Sequence, residues 1–120
     1  MNHRLQFFKH QGKTIYLIDM SRGTRQELLA LMDDVADTIP KQPRNSVLTL
    51  ADFTDAQIDK AVAMRMKEVL VFDRPYVKRS AWVGTGSLPK VFYEGFKSFS
   101  QREFPTFETR EEAMDWLVKE

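Results

Sequence analysis

The chain has 120 residues, 42% hydrophobic and 29% charged, the proportions of one soluble globular domain spanning 1–120. Its 18 Lys and Arg nearly balance 17 Asp and Glu, and a net charge of +1 excludes the basic excess of a general nucleic-acid binder. Cys is absent, which excludes a disulfide framework, a thiol nucleophile and a thiolate metal site. The opening MNHRLQFFKHQGK is too polar for a signal sequence or a membrane span, so the chain reads as cytoplasmic with no integral membrane segment.

His3 to Phe8 reads as a short edge strand, Gln11-Gly12 as a turn, and Lys13 to Asp19, rich in β-branched and aromatic residues, as the second arm of a hairpin. Thr24-Arg25-Gln26-Glu27 is a capping box, and Leu28, Met32, Val35 and Ile39 then repeat at helical spacing until Pro40 and Pro43 stop the helix. Ser46 to Thr54 (SVLTLADFT) is a near-continuous apolar run, the pattern of a central strand covered on both faces. Thr54-Asp55-Ala56-Gln57 matches another capping box and places a helix from about Asp55 to Phe72, with Ile58, Val62, Met66 and Val69 inward.

Tyr76 to Gly84 reads as the next strand, and Gly84-Thr85-Gly86 as a tight turn. A helix starting at Ser87-Leu88-Pro89 puts Leu88, Phe92, Phe96 and Phe99 on one face. Arg102 to Phe107 is a last short strand, and Thr109-Arg110-Glu111-Glu112 caps a helix that docks Ala113, Trp116 and Leu117. Met64, like Met66 and the phenylalanines, reads as core. The order β-β-α-β-α-β-α-β-α predicts an α/β domain: a mainly parallel sheet, an antiparallel N-terminal edge strand and flanking helices.

In such sheets ligands and partners dock at the carboxyl ends of the strands. That rim gathers Asp19 and Ser21, Asp52, Thr54 and Asp55, and Thr85 and Ser87. Opening helix N-termini there favour anions, so the rim suits a small polar or anionic ligand or a partner loop. The competing reading makes Thr54 a helix cap and the others ordinary turn formers. Gly84-Thr85-Gly86 lacks the Gly-Lys-Ser/Thr of a phosphate loop and the third Gly of a dinucleotide fingerprint. Lys41, Arg44, Arg74, Lys78 and Arg79 sit near strand starts, as a solvated surface or as a patch for an acidic partner or lipid headgroup. His3 and His10 lack a partner at metal-ligand spacing, and no metal or cofactor is expected. No acid, base and nucleophile set is recognisable, which leaves only Asp19 and Asp52 as a conceivable carboxylate pair for an enzyme.

The blocks GKTIYLIDMS, KQPRNSVLTLADFT, RPYVKRSAWVGTGSLPKVFYEGFKSF and FPTFETREEAMDWL resemble small bacterial proteins grouped with STAS and SEC14-like domains, over about 12–120. The resemblance implies an anti-sigma-factor-antagonist-like fold and a non-enzymatic regulatory domain that binds a protein partner or a second copy of itself. In the antagonist branch a Ser beginning the helix after the third strand is phosphorylated. The matching turn here is Asp52-Phe53-Thr54-Asp55, which lacks the Asp-Ser-Ser-Gly motif and offers only Thr54, with Asp55 already negative beside it. The SEC14 side implies an alternative: a carrier of a lipid or fatty acid in an apolar pocket between sheet and helices, furnished by nine Phe and six Met.

Overall fold

A computed structural model describes residues 2–119. The two arms of the hairpin are β1 (Leu5–His10) and β2 (Lys13–Asp19), paired antiparallel. Gln11 and Gly12 join them with φ of 50° and 82°. Two successive positive φ values make the hairpin turn whose twist matches that of its strands. After α1 (Arg25–Thr38) come β3 (Val47–Asp52), α2 (Lys60–Phe72), β4 (Val77–Val83), α3 (Lys90–Ser100), β5 (Thr106–Phe107) and α4 (Arg110–Leu117). The five strands form one sheet in the order β1-β2-β3-β4-β5, with β2 to β5 parallel.

That order explains the layering. Each crossover from β2 onward moves one strand in the same direction, so helices of the same hand fall on the same face. Leu28, Leu31, Met32 and Val35 of α1, Val62, Met66 and Val69 of α2, and Phe96 of α3 share one apolar cluster with Ile18, Ala51 and Trp82 of the sheet. Among the described residues only α4 covers the other face, where Ala113, Leu117 and Val118 meet Ile15, Leu17, Leu48, Leu50 and Ala81. All six residues of β3 are buried, as its near-continuous apolar run leads one to expect, with Thr49 and Asp52 as its buried polar members. Trp82 anchors the larger cluster. It stacks on Phe104 at 4.2 Å and packs against Phe53 at 4.6 Å, Tyr93 at 5.7 Å and Phe96 at 6.0 Å. Each such pair adds about 0.5–1.5 kcal/mol beyond its buried area.

One polar network crosses this core. Asp73, at the end of α2, accepts from the Arg102 guanidinium at 2.7 Å. Arg102 also donates to the Leu70 carbonyl at 2.8 Å and to Ser80 Oγ at 2.9 Å, and Ser80 shares a 2.8 Å hydrogen bond with Thr49. Burial pushes the Asp73 carboxyl up to about 6, against the pull of Arg102.

Several boundaries differ from the sequence reading. The last strand is only Thr106–Phe107, because Arg102 and Phe104 turn inward. Helix α3 starts at Lys90, after a single 3-10 turn over Thr85–Ser87. Phe99 and Met64 are not core: they are 58% and 66% exposed, on the outer sides of α3 and α2. No helix among the described residues is long and apolar enough to cross a membrane.

Candidate functional site

The ends of β2 and β3 carry the same short sequence pattern, Asp-apolar-hydroxyl: Asp19-Met20-Ser21 and Asp52-Phe53-Thr54. They fold the same way. Asp19 Oδ1 accepts from the Ser21 amide at 3.1 Å and from its hydroxyl at 2.6 Å. Asp52 Oδ1 accepts from the Thr54 amide at 2.9 Å and from its hydroxyl at 2.7 Å. The apolar residue between, Met20 or Phe53, is buried in the core. The next residue, Arg22 or Asp55, takes a left-handed φ of 53° or 54°. A carboxylate that accepts from two residues on mimics a backbone turn and tolerates that conformation. Two adjacent loops therefore each present an exposed charged residue, Arg22 and Asp55, of opposite sign and in the same left-handed geometry.

The loops are also stitched together. The amides of Met20 and Arg22 donate to the carbonyls of Asp52 and Thr54 at 2.9 and 2.8 Å, which continues the parallel ladder past the strand ends. Phe53 donates to Val83, and Gln57 to Gly23, at 2.9 and 3.1 Å. Gly84, with φ of 69°, lies directly against Thr54; a Cβ there would overlap its hydroxyl and sit 2.5 Å from its nitrogen. The Asp55 amide donates to Ser87 Oγ at 2.9 Å. Ser87 thus joins the third loop to the second, while Thr85 is half-buried within its own turn. The amides of Ser87 and Leu88 are taken by Gly84 and Thr85 carbonyls, so this loop is a turn and not a phosphate cradle.

Asp19 and Asp52 are register partners on neighbouring strands. Between them sits Arg110, the first residue of α4, with Nε 2.8 Å from Asp52 Oδ2 and a terminal nitrogen 3.3 Å from Asp19 Oδ1. Burial raises the Asp52 carboxyl, but the two Thr54 hydrogen bonds and Arg110 outweigh it and hold the group below its ordinary value. On the β1 side, Arg4 donates to the carbonyls of Asp19 and Ser21 at 3.1 and 2.9 Å and pairs with Glu27 at 3.4 Å. The carboxylate pair is thus assembled as the sequence suggests, with both members engaged by Arg110 and by the hydroxyl two residues on. A carboxylate already held by a guanidinium and a turn is a poor general acid or base.

Thr54 caps no helix. Helix α2 begins at Lys60, where Asp59 accepts from the Val62 amide at 2.9 Å. The Thr54–Gln57 box fails because Asp52 claims the Thr54 hydroxyl first, and Asp55 then turns the chain away from helical φ. Neither a phosphate on Thr54 nor the charge of Asp55 would therefore sit on a helix N-terminus. By contrast, the boxes at Thr24 and Thr109 do cap α1 and α4.

Sequence reasoning missed Arg110, Arg4 and Arg22. One signal for Arg110 was available. A cation in the first turn opposes the helix dipole, so its presence there implies a nearby negative charge. No family model, characterised protein or solved structure matches this chain.

Proposed function

We propose that this is a non-enzymatic interaction domain of the STAS type, cytoplasmic, which docks a partner protein or a second copy of itself on the rim at the strand ends. The observation that carries this reading is the pair of identical Asp-x-Ser/Thr turns, clamped by Arg110, that hold exposed Arg22 and Asp55 on a rigid base. A preorganised polar surface loses little conformational freedom on binding. The block resemblance to STAS domains points the same way. The carrier alternative draws no support from the interior, where the cavity between sheet and helices holds about 30 Å³, roughly one water.

A photo-crosslinking residue at position 55 tests the rim. It should capture one discrete partner, or a second copy, and a crosslinker at exposed position 9 should not. Thr54→Arg, which places a long cation across the clamp, should abolish capture. Capture that survives Thr54→Arg would move the docking surface elsewhere.

A further inference from the structure

Four of the six large apolar side chains exposed among the described residues lie on two neighbouring helices: Met64 and Val71 on α2, and Val91 and Phe99 on α3. Apolar side chains scattered singly over a surface are ordinary, whereas a contiguous set marks an interaction face.

These four are set in order. Helices α2 and α3 join consecutive parallel strands, so they run in the same direction, and they pack side by side. Where they meet, the Lys67 stem lies over Gly95, with Cε 3.5 Å from the place a Cβ would take. The Lys67 ammonium sits 5.8 Å from the centre of the Phe99 ring. Met64 and Val71 stand one turn before and one turn after Lys67, and Val91 and Phe99 stand one turn before and one turn after Gly95. The four therefore wall a lane between the helices, separated by about 10 Å along α2 and about 12 Å along α3. Gly95 presents no side chain and keeps the middle of the lane open.

The free charge beside this lane is of one sign. Lys60, one turn before Met64, extends the α2 wall. The exposed acids of the two helices are engaged, Glu68 with Arg65 at 3.3 Å and Glu94 with Lys97 at 3.8 Å. Lys60 and Lys67 pair with no acid among the described residues. Two such lanes face to face would set these lysines against each other, which disfavours a second copy as the occupant. An apolar stripe at one-turn spacing beside lysines fits a helix whose own stripe is apolar at i, i+4 and i+7 and whose flanks are acidic.

We propose that this lane docks an acidic amphipathic helix of a partner protein. Its apolar residues seat between the walls, and its Asp or Glu side chains meet Lys60 and Lys67. Phe99 is the anchor, because its ring is already held beside the Lys67 ammonium. The lane is separate from the rim at the strand ends and does not depend on what binds there.

Fluorescence anisotropy on the full chain tests the lane with a designed helical peptide of about 18 residues, carrying a Leu stripe flanked by Glu. Binding should be saturable, and the same peptide with Lys in place of Glu should bind at least about tenfold more weakly. Phe99→Asp and Lys67→Glu should each weaken the Glu peptide at least about tenfold. Phe7→Ser, at a similarly exposed phenylalanine on β1, should leave binding unchanged. Urea midpoints matching wild type confirm that each variant is folded. No saturable binding of the Glu peptide overturns the proposal, as does equal binding of the Lys peptide or an equal loss in Phe7→Ser. Binding to phosphatidylserine vesicles without binding to the peptide would make the lane a membrane face instead. Self-association in sedimentation velocity that Phe99→Asp abolishes would give the lane to a second copy, and either result overturns the proposal.

Discussion

Arg110→Met isolates what the clamp contributes. Methionine keeps the apolar stem and removes the charge, leaving Asp52 and Asp19 as facing carboxylates. Breaking a fully buried ion pair costs about 3–5 kcal/mol. Here only the Asp52 side chain is deeply buried, at 9% exposure, while Arg110 and Asp19 are 40% and 27% exposed, so water screens part of the loss. Removing a cation from the first turn of α4 returns about 0.5 kcal/mol of dipole energy. The net expectation is about 2 kcal/mol, or roughly 8 °C in a domain of this size. The pH dependence has a definite sign. Asp52 has a folded value depressed below its ordinary 3.8, so its contribution is present above that value and is lost as pH falls through the folded one. The difference between wild type and Arg110→Met should therefore be full at pH 7 and shrink as pH falls below the ordinary Asp52 value of 3.8 and through its depressed folded value. Urea unfolding, with an uncharged denaturant that leaves ion pairs unscreened, measures both. A difference below about 0.5 kcal/mol at pH 7 would refute the clamp, and one that stays constant down to pH 3 would mean Arg110 acts through packing.

Three further measurements probe the fold around the site. Gly84→Ala should cost about 3 kcal/mol, combining a left-handed φ with overlap on Thr54, while Gly12→Ala, left-handed but in open space, should cost about 1 kcal/mol and Gly86→Ala almost nothing. Equal costs at positions 12 and 84 would remove the Thr54 contact from the explanation. Asp73 holds its proton more tightly folded than unfolded, so its contribution is greatest below about pH 4 and declines as pH rises through about 6. Wild type should lose up to about 3 kcal/mol across that window relative to Asp73→Asn, and parallel pH profiles would contradict it. Phe96→Ala should cost about 3–5 kcal/mol and Phe99→Ser less than about 0.5, read from urea midpoints; similar losses would put Phe99 back in the core.

The architecture was legible because its signals are local. Hydrophobic period gave every strand and helix its type, and β3 announced its central place by lacking any polar face. The boundary of α2 was not legible, because two local patterns overlapped. Thr54 fits a cap and Asp52 fits a side-chain turn, and the turn formed because Asp52 also gains Arg110. That gain comes from 58 residues away, and the Asp19 contact from 91, beyond any periodicity. The phenylalanine stripe of α3 misled for a related reason. Spacing identifies a face, but α3 ends the row of helices and has α2 as its helix neighbour, so Phe99 at the margin of that face stays in solvent.

The strand order bears on where binding takes place. A parallel sheet forms a crevice at its carboxyl ends where the strand order reverses and helices part to opposite faces. This sheet runs β1-β2-β3-β4-β5 without reversal, and its first three helices share one face. The loops instead bond to one another across the rim, and Asp19 and Asp52 are engaged by Arg110 and by the Ser21 and Thr54 hydroxyls, while Asp55 stays exposed. The rim is consequently a surface of bonded loops on which Arg22 and Asp55 stand exposed. A concavity lies at the other end, where α4 crosses back over the sheet and Lys119 joins Lys78 and Arg79 in the lining. One topology thus separates a rim of mutually bonded loops at the strand ends from a cleft at the strand starts. The helix that supplies Arg110 to the first also walls the second.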